Sequence, residues 1–533
     1  MFEKLARGSL RLTRFILRRE RFRIIIWAVC LIGITLAVPF AFDQMFNKEG
    51  TDTAGMAVAA QNPSMIAMIG PSEGFDNYTV GVMNAHMMLV FMAIAVAIMN
   101  IFFVIRYARR DEELGRQEVM RSLPVGHLSP LTATLLVAVI MNVIVGLGCG
   151  LGLAALGIES IDLPGSILYG ITLTTIGLVF AGVAAVFAQL CQTARGATGL
   201  SMAFMIGSYL LRAVGDMNNE VLSRISPLGL IIRTEAAVNN YWWPVFILLA
   251  VAIVLFVKAF WLNSIRDMDQ GFIPARSGKS RASKILVRPT GLSLRLMRGT
   301  IIAWVLGMVL LGASYGSILG DTEAFSDIVA QVTGGVIKGG DMTRTFVSVL
   351  MKIMAICATI PCLIMVLKLR TEERRGRLEG LLAAPVSRRR IFNSYVLPAL
   401  IFSVVAPILT AIGLYGASAP SMETPIAFGD LVWSVVVFMP AIWMTIGLAT
   451  VLVALLPRRT SLIWAFLTFS FFVIYLGNMI NMPGWVGQLT PFGHVSETLV
   501  DNTNYPPLII TSVLAIALLF AGSKIYQRRD MVK

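Results

Sequence analysis

Long apolar stretches recur along the chain, separated by short segments rich in charge, Gly and Pro. Twelve of them are predicted to be helices that cross a bilayer: 24–42, 81–105, 131–158, 165–190, 198–214, 244–262, 300–320, 346–367, 394–416, 430–456, 461–480 and 506–523. A hydrocarbon core of roughly 30 Å takes about 20 apolar residues of helix, and each stretch approaches or exceeds that length. The pattern therefore predicts an all-α polytopic membrane protein with twelve transmembrane helices. Composition agrees, with 56% apolar and 14% charged residues and a mean hydropathy of +0.77, which exclude an ordinary water-soluble globule. The first stretch is long, flanked by Arg and followed by no small-residue cleavage pattern, so it reads as a retained span rather than a signal peptide.

Charge placement adds sidedness. Eight Lys or Arg lie in residues 1–23, five in 106–130, eight in 263–298 and eight in 368–393, all on one side of the predicted spans. The opposite loops carry Lys48, Arg212, Arg224, Arg233, Lys338 and Arg344 against a larger number of acids. The positive-inside rule then puts both termini in the cytoplasm of a cell-membrane protein. The net charge of +14 is topological and calls for no nucleic acid, although the basic inner face should attract anionic membrane lipids.

The chain also repeats. "DEELGRQEVMRSLPV" at 111–125 aligns with "EERRGRLEGLLAAPV" at 372–386, pairing Glu112 with Glu373, Gly115 with Gly376, Arg116 with Arg377, Glu118 with Glu379 and Pro124 with Pro385. "ISPLG" at 225–229 recurs as "LTPFG" at 489–493, and "RDM" at 266–268 recurs at 529–531. Three pairs in the same order at nearly constant spacing predict two homologous halves of six spans, and an even number of spans makes the halves parallel. The expected organisation is a first half at 1–270, a basic cytoplasmic linker at 271–298 and a second half at 299–533.

Each half begins with alternating apolar and Arg positions, "SLRLTRFILRRERF" at 9–22 and "GLSLRLMRG" at 291–299, a pattern suited to an amphipathic elbow helix on the inner headgroup layer. The charged repeats at 111–125 and 372–386 ask for short cytoplasmic helices, with Glu112 four residues before Arg116 and Glu373 four before Arg377, the spacing of helical ion pairs. Leu378, Leu381 and Leu382 form an apolar stripe beside them. Such a short helix needs a surface to receive it, either membrane or protein.

Glu-x-x-x-Gly-x-x-Glu running into Leu-Leu and Pro-Val-Ser-Arg, between the second and third spans of a six-span unit, resembles the permeases of the second type of ATP-binding-cassette (ABC) exporter. The match is close over Glu372 to Arg389; in the first copy Gly126 and His127 stand where the second has Ser387 and Arg388. The Ser/Thr-Pro-Leu/Phe-Gly motif before each sixth span also fits that family, where it belongs to a bent external hairpin, which gives Pro227, Gly229, Pro491 and Gly493 a place. Duplicated chains of this kind resemble the antibiotic and multidrug exporter branch. The resemblance implies that Glu112, Gly115, Arg116, Glu118 and Pro124, with Glu373, Gly376, Arg377, Glu379 and Pro385, form two coupling helices. These would dock on separate cytoplasmic ABC ATPase subunits, two copies per permease. The chain would be no enzyme itself: it carries no cofactor, and ATP and Mg belong on the partner. The implied cargo is a hydrophobic or amphiphilic, drug-like compound.

A nucleotide loop within the chain is excluded. "SGKS" at 277–280 has Ile273 where the first glycine belongs, and no apolar strand precedes it. The rival reading is a proton-coupled carrier of major-facilitator type, because "ERRGR" at 373–377 imitates part of that signature. It lacks the leading glycine, at Leu369, and no acid is expected in the interior of a span, where proton relays need one. The five cysteines and His86, His127 and His494 show no metal-ligand spacing. Within the predicted spans, His86 and Lys352 stand out at similar depth in the two second spans. They read either as a polar rim on a substrate route or, for Lys352, as a snorkelling side chain.

Reporters after Lys533 and near Gly278 should be cytoplasmic and one near Gly50 external; a reporter near Gly278 that proves external would overturn the two-half reading.

Overall fold

The computed structural model describes residues 7–44, 57–121 apart from 59 and 62, 124–267, 270–274, 280–316, 319, 342–420, 422, 425–476, 483–495, 499 and 503–529. Gly50, most of the 277–280 stretch, Lys338 and the Asp-Met of the second Arg-Asp-Met lie outside them. Apart from one isolated bridge between Cys191 and Ile273, the described residues form helices and turns. Chain contacts divide the protein into two units, Met1–Gly278 and Lys279–Lys533.

Eleven of the described helices are long and apolar enough to cross a membrane. In the first unit these are α1 (Ser9–Asp43), α2 (Val80–Ile105), α4 (Ser129–Ala154), α5 (Leu163–Leu190), α6 (Ala194–Asn218) and α9 (Trp243–Ile265), with the short helices α3 (Arg116–Arg121), α7 (Glu220–Ile225) and α8 (Pro227–Ile232) between them. The second unit has α10 (Pro289–Gly316), α11 (Met342–Arg374), the short α12 (Arg377–Leu382), α13 (Arg388–Ser418), α14 (Phe428–Val436) leading into α15 (Met439–Leu455), α16 (Leu462–Leu476) and α17 (Tyr505–Arg528). The stretch expected to be the eleventh span differs: α16 has 15 residues, about 22 Å at 1.5 Å per residue, short of a full crossing. Its expected continuation, 477–480, lies outside the described residues.

The two elbows also differ from expectation. Residues 9–22 and 291–299 are not separate surface helices but the first turns of α1 and α10, which run on into the spans. Neither junction contains a proline, so nothing in the backbone interrupts the hydrogen-bond ladder.

Helix termini follow local chemistry. Thr79 accepts from Val82 N at the start of α2, Asp162 from Gly165 N at α5, Thr193 from Gly196 N at α6 and Ser387 from Arg390 N at α13, each satisfying an amide with no intrahelical partner. In the first unit α2 and α5 are mostly buried, whereas α1 and α9 keep exposed apolar faces, as expected where lipid rather than protein covers the outside. Small residues bring backbones together. A Cβ on Gly170 would lie 2.2 Å from Gly146 O, and one on Gly413 2.1 Å from Val309 O.

One buried amide pair fixes α2 against α4. Asn100 Nδ2 donates to Asn142 Oδ1 at 2.9 Å and Asn142 Nδ2 returns a bond to Asn100 Oδ1 at 2.8 Å. Gly177 of α5 leaves room for the pair, since a Cβ there would lie 2.0 Å from Asn142 Oδ1. Gly177→Ala should therefore destabilise the purified chain by about 1–3 kcal/mol, read as a lower unfolding midpoint in detergent. Gly33→Ala, which meets nothing within 4 Å, should leave that midpoint unchanged or raise it.

Candidate functional site

Both charged repeats fold alike. In each, the long second helix of the unit runs on past the apolar stretch, stops at a left-handed glycine and gives way to a six-residue helix. Gly115 has φ 68° and Gly376 φ 67°, a conformation that favours glycine. Gly115 N donates to Glu112 O and Gly376 N to Glu373 O, both at 2.9 Å. In the first copy the end of the long helix is widened over Arg106–Arg110 into a π turn.

The glycine changes the ion pairing. The spacing of Glu112 to Arg116 and Glu373 to Arg377 asks for helical pairs, but the helix breaks between the partners, and each arginine bonds the acid one residue earlier. Arg116 Nη1 meets Asp111 Oδ1 at 2.6 Å and Arg377 Nη1 meets Glu372 Oε2 at 3.1 Å. Glu112 and Glu373 turn inward. Arg266 grips Glu112 with both terminal nitrogens, at 2.8 and 2.7 Å, and Arg529 Nη2 reaches both Glu373 oxygens. Arg266 and Arg529 are the arginines of the two Arg-Asp-Met repeats. Two motifs far apart in sequence are thus the two ends of one interaction, which ties the charged segment to the C-terminal end of the unit's last span.

A second tie escaped the sequence reading. Arg109, fully buried, donates Nε and Nη2 to Gln192 O at 3.0 and 2.6 Å and Nη1 to Glu112 at 3.0 Å. Arg370 donates Nε to Pro457 O at 2.6 Å. Gln192 and Pro457 sit in the turns that follow α5 and α15. The same repeat alignment that pairs Glu112 with Glu373 also pairs Arg109 with Arg370, so the signal was present. The copies differ at Glu113, whose Oε1 accepts from Ala194 N at 2.7 Å, at the first residue of α6. The aligned residue is Arg374, which cannot accept.

Beyond each glycine the short helix presents its carboxylate to solvent. Glu118, Glu379, Pro124 and Pro385 are exposed, whereas Leu378 is buried, and Leu381 and Leu382 pack against the core of the second unit.

The Ser/Thr-Pro-x-Gly motifs also repeat in detail. Ser226 caps α8 and donates Oγ to Ser208 O at 2.6 Å, while Thr490 caps the 3-10 turn Pro491–His494. Pro227 and Pro491 take the first positions of their turns, where a missing N–H costs nothing. Gly229 and Gly493 serve close approach: a Cβ at either would lie 2.0 Å from a carbonyl six residues earlier, that of Ser223 or of Gly487.

His86 is buried. Its Nε2 lies 2.8 Å from Gly70 O and its Nδ1 2.8 Å from Tyr78 OH. The carbonyl only accepts, so Nε2 carries the proton and Nδ1 accepts from the phenol, whose acidity burial reduces further. Both ring nitrogens are thus engaged in holding the 70–78 segment. Lys352 is half-buried on α11.

One expectation is corrected. An acid does sit within a span: Asp216, near the end of α6, has a fully buried side chain 3.5 Å from equally buried Arg212. Arg212 also donates Nη2 to Ala67 O and Met68 O, at 2.8 and 2.9 Å. The i, i+4 spacing was visible in sequence, but the predicted span ended at 214 and left Asp216 in an external loop.

Among the described residues no group of His, Cys, Asp or Glu could hold a metal ion. Apolar helices of crossing length, joined by motifs that tie helix ends together, define a multi-pass membrane protein. The family model for the C-terminal domain of the multidrug efflux system permease Rv1217c matches residues 13–262 and 286–527. The chain is 32% identical over 539 aligned residues to the multidrug efflux system permease protein Rv1217c of Mycobacterium tuberculosis (strain ATCC 25618 / H37Rv), covering 98% of this chain and 95% of the relative. The chain belongs to this family of multidrug efflux permeases.

Removing one partner of a buried ion pair strands the other charge. Glu112→Gln should cost about 3–5 kcal/mol, seen as a large fall in the unfolding midpoint of the purified chain, while Glu118→Gln at the exposed tip should leave that midpoint unchanged.

Proposed function

We propose that this chain is the membrane-spanning permease of an ABC exporter of the second type. In this reading two homologous, parallel halves of six spans carry both termini in the cytoplasm and export hydrophobic or amphiphilic, drug-like compounds. Two separate ATPase subunits bind ATP and Mg, and α3 and α12 are the coupling helices on which they act. The relative's role as a multidrug efflux permease supports the cargo class.

The observation that carries the reading is the shared build of 111–121 and 372–382: an exposed carboxylate on a short helix, a left-handed glycine, and a buried acid held by an arginine from the end of the last span. A push on α3 or α12 would reach the last span of its unit through Glu112–Arg266 or Glu373–Arg529. It would reach the turn after α5 or α15 through Arg109 or Arg370. A helix that only lies on the membrane needs none of these ties. The permease would alternate between two arrangements, with ATP binding on the partner favouring one of them.

Docked against a partner, the tip carboxylate loses water and must be matched by donors, so reversing its charge leaves like charges in contact. Glu379→Lys and Glu118→Lys should each leave membrane levels normal but weaken ATPase association or uncouple hydrolysis from export. The two should differ in degree, because Glu113 and Arg374 give the copies unlike neighbours. Wild-type pull-down and cargo-stimulated hydrolysis in both variants would contradict the coupling role. Efflux from liposomes driven by a pH gradient alone would favour the carrier reading, with Asp216 the acid to test.

A further inference from the structure

A cavity of about 280 Å³ opens beside the first charged segment, between the N-terminal turns of α1, the charged stretch that follows α2 and the first turns of α4. Phe15, Ile16 and Pro130 give it an apolar floor, and Arg19, Arg116 and Asp111 stand at its rim. The rim holds more positive charge than its acids neutralise. Arg19 and Arg116 share the single carboxylate of Asp111, at 3.4 and 2.6 Å, so two guanidinium groups of the rim face one carboxylate. The side chains of Arg19 and Arg116 are 33% and 49% exposed, so each can take a further acceptor.

We propose that this cavity is a binding site for one anionic phospholipid of the inner leaflet, its phosphate between Arg19 and Arg116 and the start of an acyl chain on Phe15, Ile16 and Pro130. Planar guanidinium groups suit phosphate oxygens, and an anionic leaflet draws such clusters to it. A phosphate in this cavity competes with Asp111 for Arg116, at the root of α3. The leaflet assignment rests on the sidedness of the functional reading, whereas binding itself is measured on the purified chain without it.

The full chain in detergent would be titrated with phosphatidylglycerol and, separately, with phosphatidylcholine carrying the same acyl chains, and bound lipid counted by native mass spectrometry. One phosphatidylglycerol should be retained in preference to phosphatidylcholine. Arg19→Gln should weaken its retention about fivefold, while Arg11→Gln, the same charge change at an exposed position on the same helix, should not. A phosphatidylglycerol with a photoreactive acyl chain should label peptides covering 12–19 or 130–134. Equal retention of the two lipids, equal loss in the two variants, labelling only elsewhere, or displacement of the lipid by an amphiphilic drug in preference would each overturn the proposal.

Discussion

The burial of Glu112 and Glu373 at the charged ends of their helices constrains everything around them. A carboxylate taken out of water is costly unless a cation meets it with good geometry. Each has such a cation, Arg266 or Arg529, delivered by the last span of the same unit. Once those pairs form, the end of the second span, the end of the sixth and, through Arg109 or Arg370, the turn after the fourth must stay together. Three helix ends that hydrophobic contact alone would leave free to slide are held at one point.

The left-handed glycine that follows makes this point useful. It ends the long helix within one residue, so the short helix leaves at a new angle and carries Glu118 or Glu379 into solvent while Glu112 or Glu373 stays inside. Any bulkier residue would be strained at a φ near 68°. A single charged repeat thereby acquires an inward half that binds the protein to itself and an outward half free to bind something else. The two copies share this geometry with different neighbours, Glu113 bonding the start of α6 and Arg374 unable to.

Much of this was legible in the residues. Apolar runs located the helices, and the repeats of Glu112, Arg266 and the Ser/Thr-Pro-x-Gly motif marked the positions that the structure joins. Pairing was not legible, because helical spacing assigns Arg116 to Glu112 only if the helix continues, and nothing but the backbone angle of Gly115 says that it stops. The elbows were misjudged for the opposite reason: a change of polarity at residue 23 need not bend a helix that has no breaker. Asp216 fell in a loop because the predicted span stopped at 214, yet its pairing with Arg212 lets the helix run on to Asn218. Hydrophobic pattern reports where water is excluded; it does not report which charges have found partners there.

If the acid–arginine tie makes the short helix and the last span move as one piece, the distance between them should be fixed. Spin labels at the exposed positions Ala384, just beyond α12, and Lys524, on α17, would read that distance by pulsed electron paramagnetic resonance. The account predicts one narrow distribution in the otherwise native chain and a broad one in Glu373→Gln. Equal widths in the two would contradict it.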